Sequence, residues 1–310
     1  MAKRYLTTLL KISVTALGLY LALRQAPFSE LAAVIRGADW RWLLLAWVLI
    51  FTSLAVRASR WWLLLRGVNI HLPLRRLIEI YFIGQFFNAF LPSGFGGDVV
   101  RALSMGKEVR RSEAAGSVMV DRLSGLLMLF VMALLAMPFR PQTFPLELAL
   151  LISAMAVGGL VGGWLLLYGQ TIHRISRWAG RWLPSWLATE GEGPLARLIA
   201  VIQLAGQRAV FGALAVSVVF NLMLVGWWTA VSYALQFNVP YSYYLLVVPI
   251  LSVALLAPSI GGLGVREVIA PLLLLGAGLT PAQAIALSLV EFALVRFTGL
   301  IGAPIYLLRR

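Results

Sequence analysis

The chain contains no cysteine, and its two histidines, His71 and His173, lie 102 positions apart. The missing thiols exclude disulfides, thiolate nucleophiles and cysteine-held metals. Histidines so far apart offer no ligand spacing, so no metal site is expected. Charge is also scarce. Only 12% of residues are charged, about half the share of a soluble domain. Acids are scarcer still: 12 Asp and Glu stand against 26 Lys and Arg, leaving a net charge of +14. No His-Glu-x-x-His, Walker A loop or Gly-x-Ser-x-Gly elbow occurs, and no set of heme ligands. Gly94-x-Gly96 has no strand–helix context that would make it a dinucleotide loop. No catalytic residue and no cofactor are therefore expected.

What is present is apolar: 61% of the 310 residues are hydrophobic and mean hydropathy is +0.88. The long runs predict an all-α polytopic membrane protein, since a β-barrel would show alternating ten-residue segments. Six spans are expected, near 5–23, 40–65, 117–137, 146–168, 211–235 and 282–308. Trp40 and Trp42 mark one end of the second span, Trp61 and Trp62 the other. About 20 residues between these belts rise roughly 30 Å, the thickness of a hydrocarbon core. Lys3 and Arg4 precede the first span, which reads as a retained helix and not a signal peptide. Residues 169–209 interleave arginine and tryptophan. Beside membrane spans this predicts a cytoplasmic amphipathic segment on an anionic leaflet, not a nucleic-acid surface. Gly158, Gly159, Gly162 and Gly163 predict close helix contact in the fourth span.

Two stretches break the pattern. The first element, 74–106, carries Asn88, Pro92, Ser93, Gly96, Gly97, Asp98 and Arg101 across a glycine-rich interruption. The second, 241–279, repeats the theme with Pro258, Ser259, Gly261, Gly262, Gly264, Arg266 and Glu267. Irregular backbone at membrane depth is tolerated only where protein buries it or a wet cavity receives it. Both stretches are therefore expected to be re-entrant broken-helix hairpins. With the N-terminus in the cytoplasm, cytoplasmic segments hold fifteen Lys and Arg and external segments four, in keeping with the positive-inside rule. Both termini are then cytoplasmic. The hairpins, three spans apart, would enter from opposite sides as an inverted repeat.

Seven basic residues remain at depth: Lys11, Arg57, Arg60, Arg101, Arg122, Arg266 and Arg296. Buried charge in a bilayer is costly enough to make each a functional candidate. Arg101 and Arg266 each follow a glycine break at a helix start, where free N–H groups favour an anion. Together with Asn88, Pro92, Ser93, Gly96, Gly97, Asp98, Gly262, Gly264 and Glu267 they form the expected headgroup site. The alternative is that Asp98 caps its helix and pairs with Arg101 at i,i+3, and that Arg266 pairs with Glu291 or Glu267. Asp121, Arg122, Glu291 and Arg296 are expected to compensate charge or couple protons, or simply to pair between helices. Arg57 and Arg60 either snorkel to the interface or line a vestibule. Ser117, Asp121, Ser124 and Gly125 share one helical face, expected to pack or to line a polar cavity.

The Leu91-Pro92 to Arg101 core, the Val120-Asp121-Arg122 helix start and the Pro258 to Glu267 stretch resemble the flippase-like membrane domain of lysylphosphatidylglycerol synthases. The resemblance implies broken helices that move a lipid of anionic or modified headgroup between leaflets. It places family positions at Asn88, Pro92, Gly97, Asp98, Arg101, Asp121, Arg122, Gly262, Gly264, Arg266 and Glu267. The soluble aminoacyl-transferring domain is not within these residues, so a stand-alone member is expected. Its partner would be a membrane phospholipid or a lipid-linked sugar, with a separate lipid-modifying enzyme possible and no nucleic acid. A prokaryotic cytoplasmic membrane is the expected location. The alternatives are a transporter or channel for a soluble anion and a membrane-embedded lipid-modifying transferase.

Overall fold

The computed structural model describes residues 2–90, 96–106, 109–167, 194–254 and 259–309. Among these every regular element is helical. The first helices, α1 (Ala2–Gln25) and α2 (Phe28–Arg36), are bent 81° apart at Pro27. They are followed by α3 (Trp40–Gly67), α4 (Leu74–Phe90), α5 (Gly96–Leu103), α6 (Arg111–Ala136) and α7 (Leu146–Leu167). The second half comprises α8 (Pro194–Ala234), α9 (Tyr241–Ala254), α10 (Val265–Leu274), α11 (Pro281–Leu300) and α12 (Gly302–Leu308). Five segments are long and apolar enough to cross a membrane: Trp40–Gly67, Arg111–Phe139, Leu146–Leu165, Leu198–Ala234 and Pro281–Leu308. The bent α1–α2 pair makes a sixth if it is one span.

Local sequence sets several boundaries. Asp39 caps α3 by accepting a bond from Arg41 N–H at 2.9 Å. Thr280 and Gln283 cap α11 reciprocally, with Pro281 in the first turn where its missing N–H costs nothing. The fifth span begins earlier than the sequence pattern suggests. Helix α8 starts at Pro194 and bends at Gly206, whose φ is +74°.

Residues 168–193, which include most of the expected amphipathic segment, lie outside the described residues. The described remainder does not lie free on a surface. Leu198, Val201, Ile202 and Ala205 are buried in a cluster with Leu64 of α3 and Val120 of α6, because its apolar face matches theirs.

The α3 and α8 helices pack along each other more extensively than any other pair. Around them α6, α7 and α9–α11 enclose the main core, which buries Phe130, Trp227, Trp228, Tyr243 and Tyr244. In the fourth span, Gly159 and Gly163 face Leu127 of α6, whereas Gly158 and Gly162 face open space. Only one of the two expected glycine stripes therefore packs, and it meets a side chain instead of a backbone.

Both breaks fold into hairpins. The α5 helix runs back along α4: Gly97 N–H donates to Asn88 Oδ1 at 2.7 Å, and the Arg101 side chain crosses Gly84. The turn between them, residues 91–95 with Pro92 and Ser93, lies outside the described residues. Similarly, α10 returns beside α9, with Tyr243 donating to the Leu273 carbonyl at 2.8 Å. Pro258 in that turn is also outside the described residues. The second hairpin has a neighbour the first lacks. Gly264 presses backbone to backbone against Gly18 of α1, and Thr15 Oγ1 accepts a bond from Ile260 N–H at 2.9 Å.

Candidate functional site

A cavity of about 280 Å3 lies where the two hairpins face α3, α6, α8 and α11. Six of the seven embedded basic residues line it: Arg57, Arg60, Arg101, Arg122, Arg266 and Arg296. Three carboxylates accompany them: Asp98, Asp121 and Glu291. Asn88 also lines the cavity, as do the aromatics Phe220, Trp227 and Trp228. Charges that lie more than two hundred positions apart in sequence thus share one space.

The first half of the lining is built around Asp121, which is fully buried. Its carboxylate accepts from Arg60 Nε at 2.8 Å, from Arg101 Nη2 at 2.7 Å and from the Tyr81 hydroxyl. Arg101 also reaches Asp98 at 3.2 Å, the i,i+3 pair visible in the sequence. Asp98 in turn takes Arg122 at 2.5 Å. The Arg101 guanidinium lies over the Tyr81 and Trp61 rings, 3.8 and 4.5 Å from their centroids. Trp61 donates to Ser117 and Arg60 to Ser217, at 3.1 and 3.3 Å. Such sharing is what lets several cations exist away from water.

The second half is simpler. Arg266 donates to Glu291 Oε2 at 2.5 Å and to the Ser288 carbonyl at 3.1 Å, and lies 5.2 Å from the Trp228 ring centroid. Trp227 donates to the other oxygen of Glu291 at 3.2 Å. Glu267 turns the opposite way. It accepts from Gly264 N–H at 2.6 Å, satisfying an orphan donor at the start of α10, and from Ser288 Oγ at 2.9 Å. Arg296 donates to the Gly261 carbonyl at 3.0 Å. Ser259 Oγ accepts from Gly262 N–H at 3.1 Å.

The two halves correspond part by part. Trp61 on α3, Arg101 on α5 and Asp121 on α6 match Trp228 on α8, Arg266 on α10 and Glu291 on α11. In each half an arginine from the returning arm of a hairpin rests on a tryptophan of the preceding long helix. Its carboxylate comes from the following one.

Of the expected headgroup positions, Arg101, Arg266, Asn88 and Asp98 line the cavity. Gly96 and Gly97 are buried in the first turn of α5, and Gly97 sits against Asn88 and the Gly84 carbonyl. Gly262, Gly264 and Glu267 shape the second turn behind the cavity wall. All four expected compensating residues, Asp121, Arg122, Glu291 and Arg296, are in the lining.

Arg60 is 2% exposed and bonded to Asp121, so it does not snorkel but lines the cavity. Three glycines at the site were not singled out as arginine neighbours from the sequence. A methyl group would strike Arg101 at Gly84, Arg60 at Gly125 and Arg296 at Gly261. For Gly84 and Gly125 the available signal was an isolated glycine inside an apolar helix, since it marks close approach by something; Gly261 belongs to the second glycine break.

A model of the lysylphosphatidylglycerol synthase transmembrane region matches residues 8–302. The chain belongs to that family. Two relatives share shorter stretches with this family member. A UPF0104 membrane protein of Methanothermobacter thermautotrophicus is 36% identical over 96 residues, 30% of this chain and 28% of that protein. A UPF0104 membrane protein of Pyrococcus horikoshii is 28% identical over 138 residues, 43% of this chain and 40% of that protein. The aligned stretches thus span less than half the length of either relative. Membership in the family and the apolar spans make this an integral membrane protein.

Proposed function

We propose that this protein is a lipid translocase that passes a lipid with an anionic or phosphate headgroup between bilayer leaflets. The observation that carries the reading is one cavity lined by both hairpins, with six arginines against three carboxylates among its described residues. Excess guanidinium lining one cavity favours an anion, and arginine's planar fork suits phosphate oxygens. The two hairpins are re-entrant and opposed, an inverted repeat with the site between its halves, and rocking of one half against the other alternates access. Both termini lie in the cytoplasm of a prokaryotic cell. The chain acts by binding and movement, without covalent change to its cargo.

A second cavity, of about 320 Å3, favours a lipid over a free anion. Val99, Ala102 and Leu103 of α5 and Ala115, Val118 and Met119 of α6 line it together with Arg111, and it shares Asp98 with the arginine cavity. An apolar groove meeting a cationic chamber at one carboxylate is suited to an acyl chain and its headgroup. A transporter for a soluble anion would need only the chamber.

The test is transbilayer movement of labelled anionic phospholipid and of a polyprenyl-phosphate sugar in proteoliposomes. Wild type should move at least one of them, and Arg101→Ala combined with Arg266→Ala should abolish it. Wild-type rates in the folded double variant would sink the reading. Uptake of glycerol 3-phosphate without lipid movement would replace it by soluble-anion transport.

A further inference from the structure

The six cavity arginines are not equivalent. Arg60, Arg101, Arg122 and Arg266 each contact a carboxylate. Among the described residues, no carboxylate lies within ion-pair distance of Arg57 or Arg296. Arg57 is flanked by the Tyr81 and Phe220 rings, 5.1 and 5.4 Å from their centroids, and its Nε is buried with no hydrogen-bond partner. Arg296 lies 4.2 Å from the Phe292 ring centroid and gives one N–H to Gly261, and its Nε is likewise buried without a partner. So are those of Arg101 and Arg266, which unlike Arg57 and Arg296 touch a carboxylate. Aromatic faces and one carbonyl partly solvate a guanidinium and supply no countercharge. Two cations, on α3 and α11, thus reach the cavity with no carboxylate in contact, Asp121 standing at longer range from Arg57 and Glu291 and Glu267 from Arg296.

We infer, building on the translocase reading, that the cargo headgroup supplies two of the three charges by which the cavity's arginines exceed its carboxylates among the described residues. It is a terminal phosphate monoester, dianionic near neutral pH, and not a phosphodiester. A diester carries one charge and would leave two of that excess uncompensated where a dianion leaves one. A monoester phosphate has its second ionisation near pH 6 and offers three acceptor oxygens, enough to satisfy both guanidinium groups. Arg101 and Arg266, already held by acids, shape the chamber. Arg57 and Arg296 set its selectivity.

Ligand binding to the detergent-purified protein near pH 8 tests this. Short-chain phosphatidate, a monoester, is compared with phosphatidylglycerol of the same chains, a diester, by titrating the shift in thermal unfolding midpoint. Phosphatidate should bind about tenfold more tightly, as expected for an added charge-assisted contact. Arg57→Gln and Arg296→Gln should each bring the two lipids to within about twofold, while Arg57→Lys and Arg296→Lys keep the preference because charge is kept.

The unfolding midpoint without ligand shows whether each variant is folded. Equal or tighter binding of the diester by wild type overturns the inference, as does failure of either lipid to bind. The fate of the translocase reading is separate. Preference without transbilayer movement would preserve the dianion site and remove translocation. Movement of both lipids at one rate would do the reverse. Glycerol 3-phosphate binding as tightly as phosphatidate would keep the dianion site and assign it to a free phosphate ester.

Discussion

Arg101 and Arg266 hold matching places in the two hairpins, yet they are stabilised differently. Arg101 touches two carboxylates, and one of these, Asp121, also serves Arg60 and Tyr81. Arg266 has a single carboxylate, Glu291, because the adjacent Glu267 is spent on the Gly264 N–H and Ser288. The hairpins also differ in what holds their glycine turns. Gly97 is clasped within its own hairpin by Asn88 and Gly84, whereas Gly264 leans on α1, the helix with the bent partner. The first half is therefore a branched charge network that also reaches Ser217 on α8, and the second half leans on α1.

Substitutions can break or sharpen this contrast. The largest effect is expected from Asp121→Asn, which strands Arg60 and leaves Arg101 with Asp98 alone. Removing one partner of a buried ion pair costs about 3–5 kcal/mol, measurable by unfolding in detergent. Glu291→Gln strands one arginine that still has Ser288, so a smaller loss of about 2–3 kcal/mol is expected. Equal losses at the two positions would erase the distinction between networked and single pairs.

Next come the turns. Gly97→Ala and Gly264→Ala each force an overlap, and Gly264 also has a φ of +85°. Overpacking of this kind costs about 1–3 kcal/mol. Gly18→Ala should reproduce the Gly264→Ala phenotype and leave the first hairpin intact, as read by proteolytic protection of each hairpin. Loss of protection in both would mean that α1 supports the whole chamber.

Ser288→Ala removes the hydroxyl between Glu267 and Arg266 and should cost about 1 kcal/mol. The smallest effect is expected at the exposed Arg75–Glu79 pair, where Arg75→Ala should change stability by about 0.3 kcal/mol. A large effect there would show that this surface is covered in the membrane.

The apolar runs and the two glycine breaks are properties of local sequence, and the helices follow them closely. Val265 begins α10 directly after Gly264, and Thr280-Pro281 begins α11. The shared face of Ser117, Asp121 and Ser124 is buried, as its spacing requires. Helical period and hydrophobicity act over a few residues, which is why they are readable in the chain. Depth alone also singled out the basic residues, and six of the seven meet in one cavity.

What the sequence by itself determined, then, is a helical membrane protein with two interrupted elements and too many buried cations. Only the tertiary structure decided which acid takes which arginine. Asp121 and Arg60 are 61 positions apart, and Ser217 is 157 positions from Arg60. It alone brought Gly18 against Gly264 and left Arg57 and Arg296 with no carboxylate in contact among the described residues. Partner choice depends on how separate helices pack, and no short-range pattern records that distance.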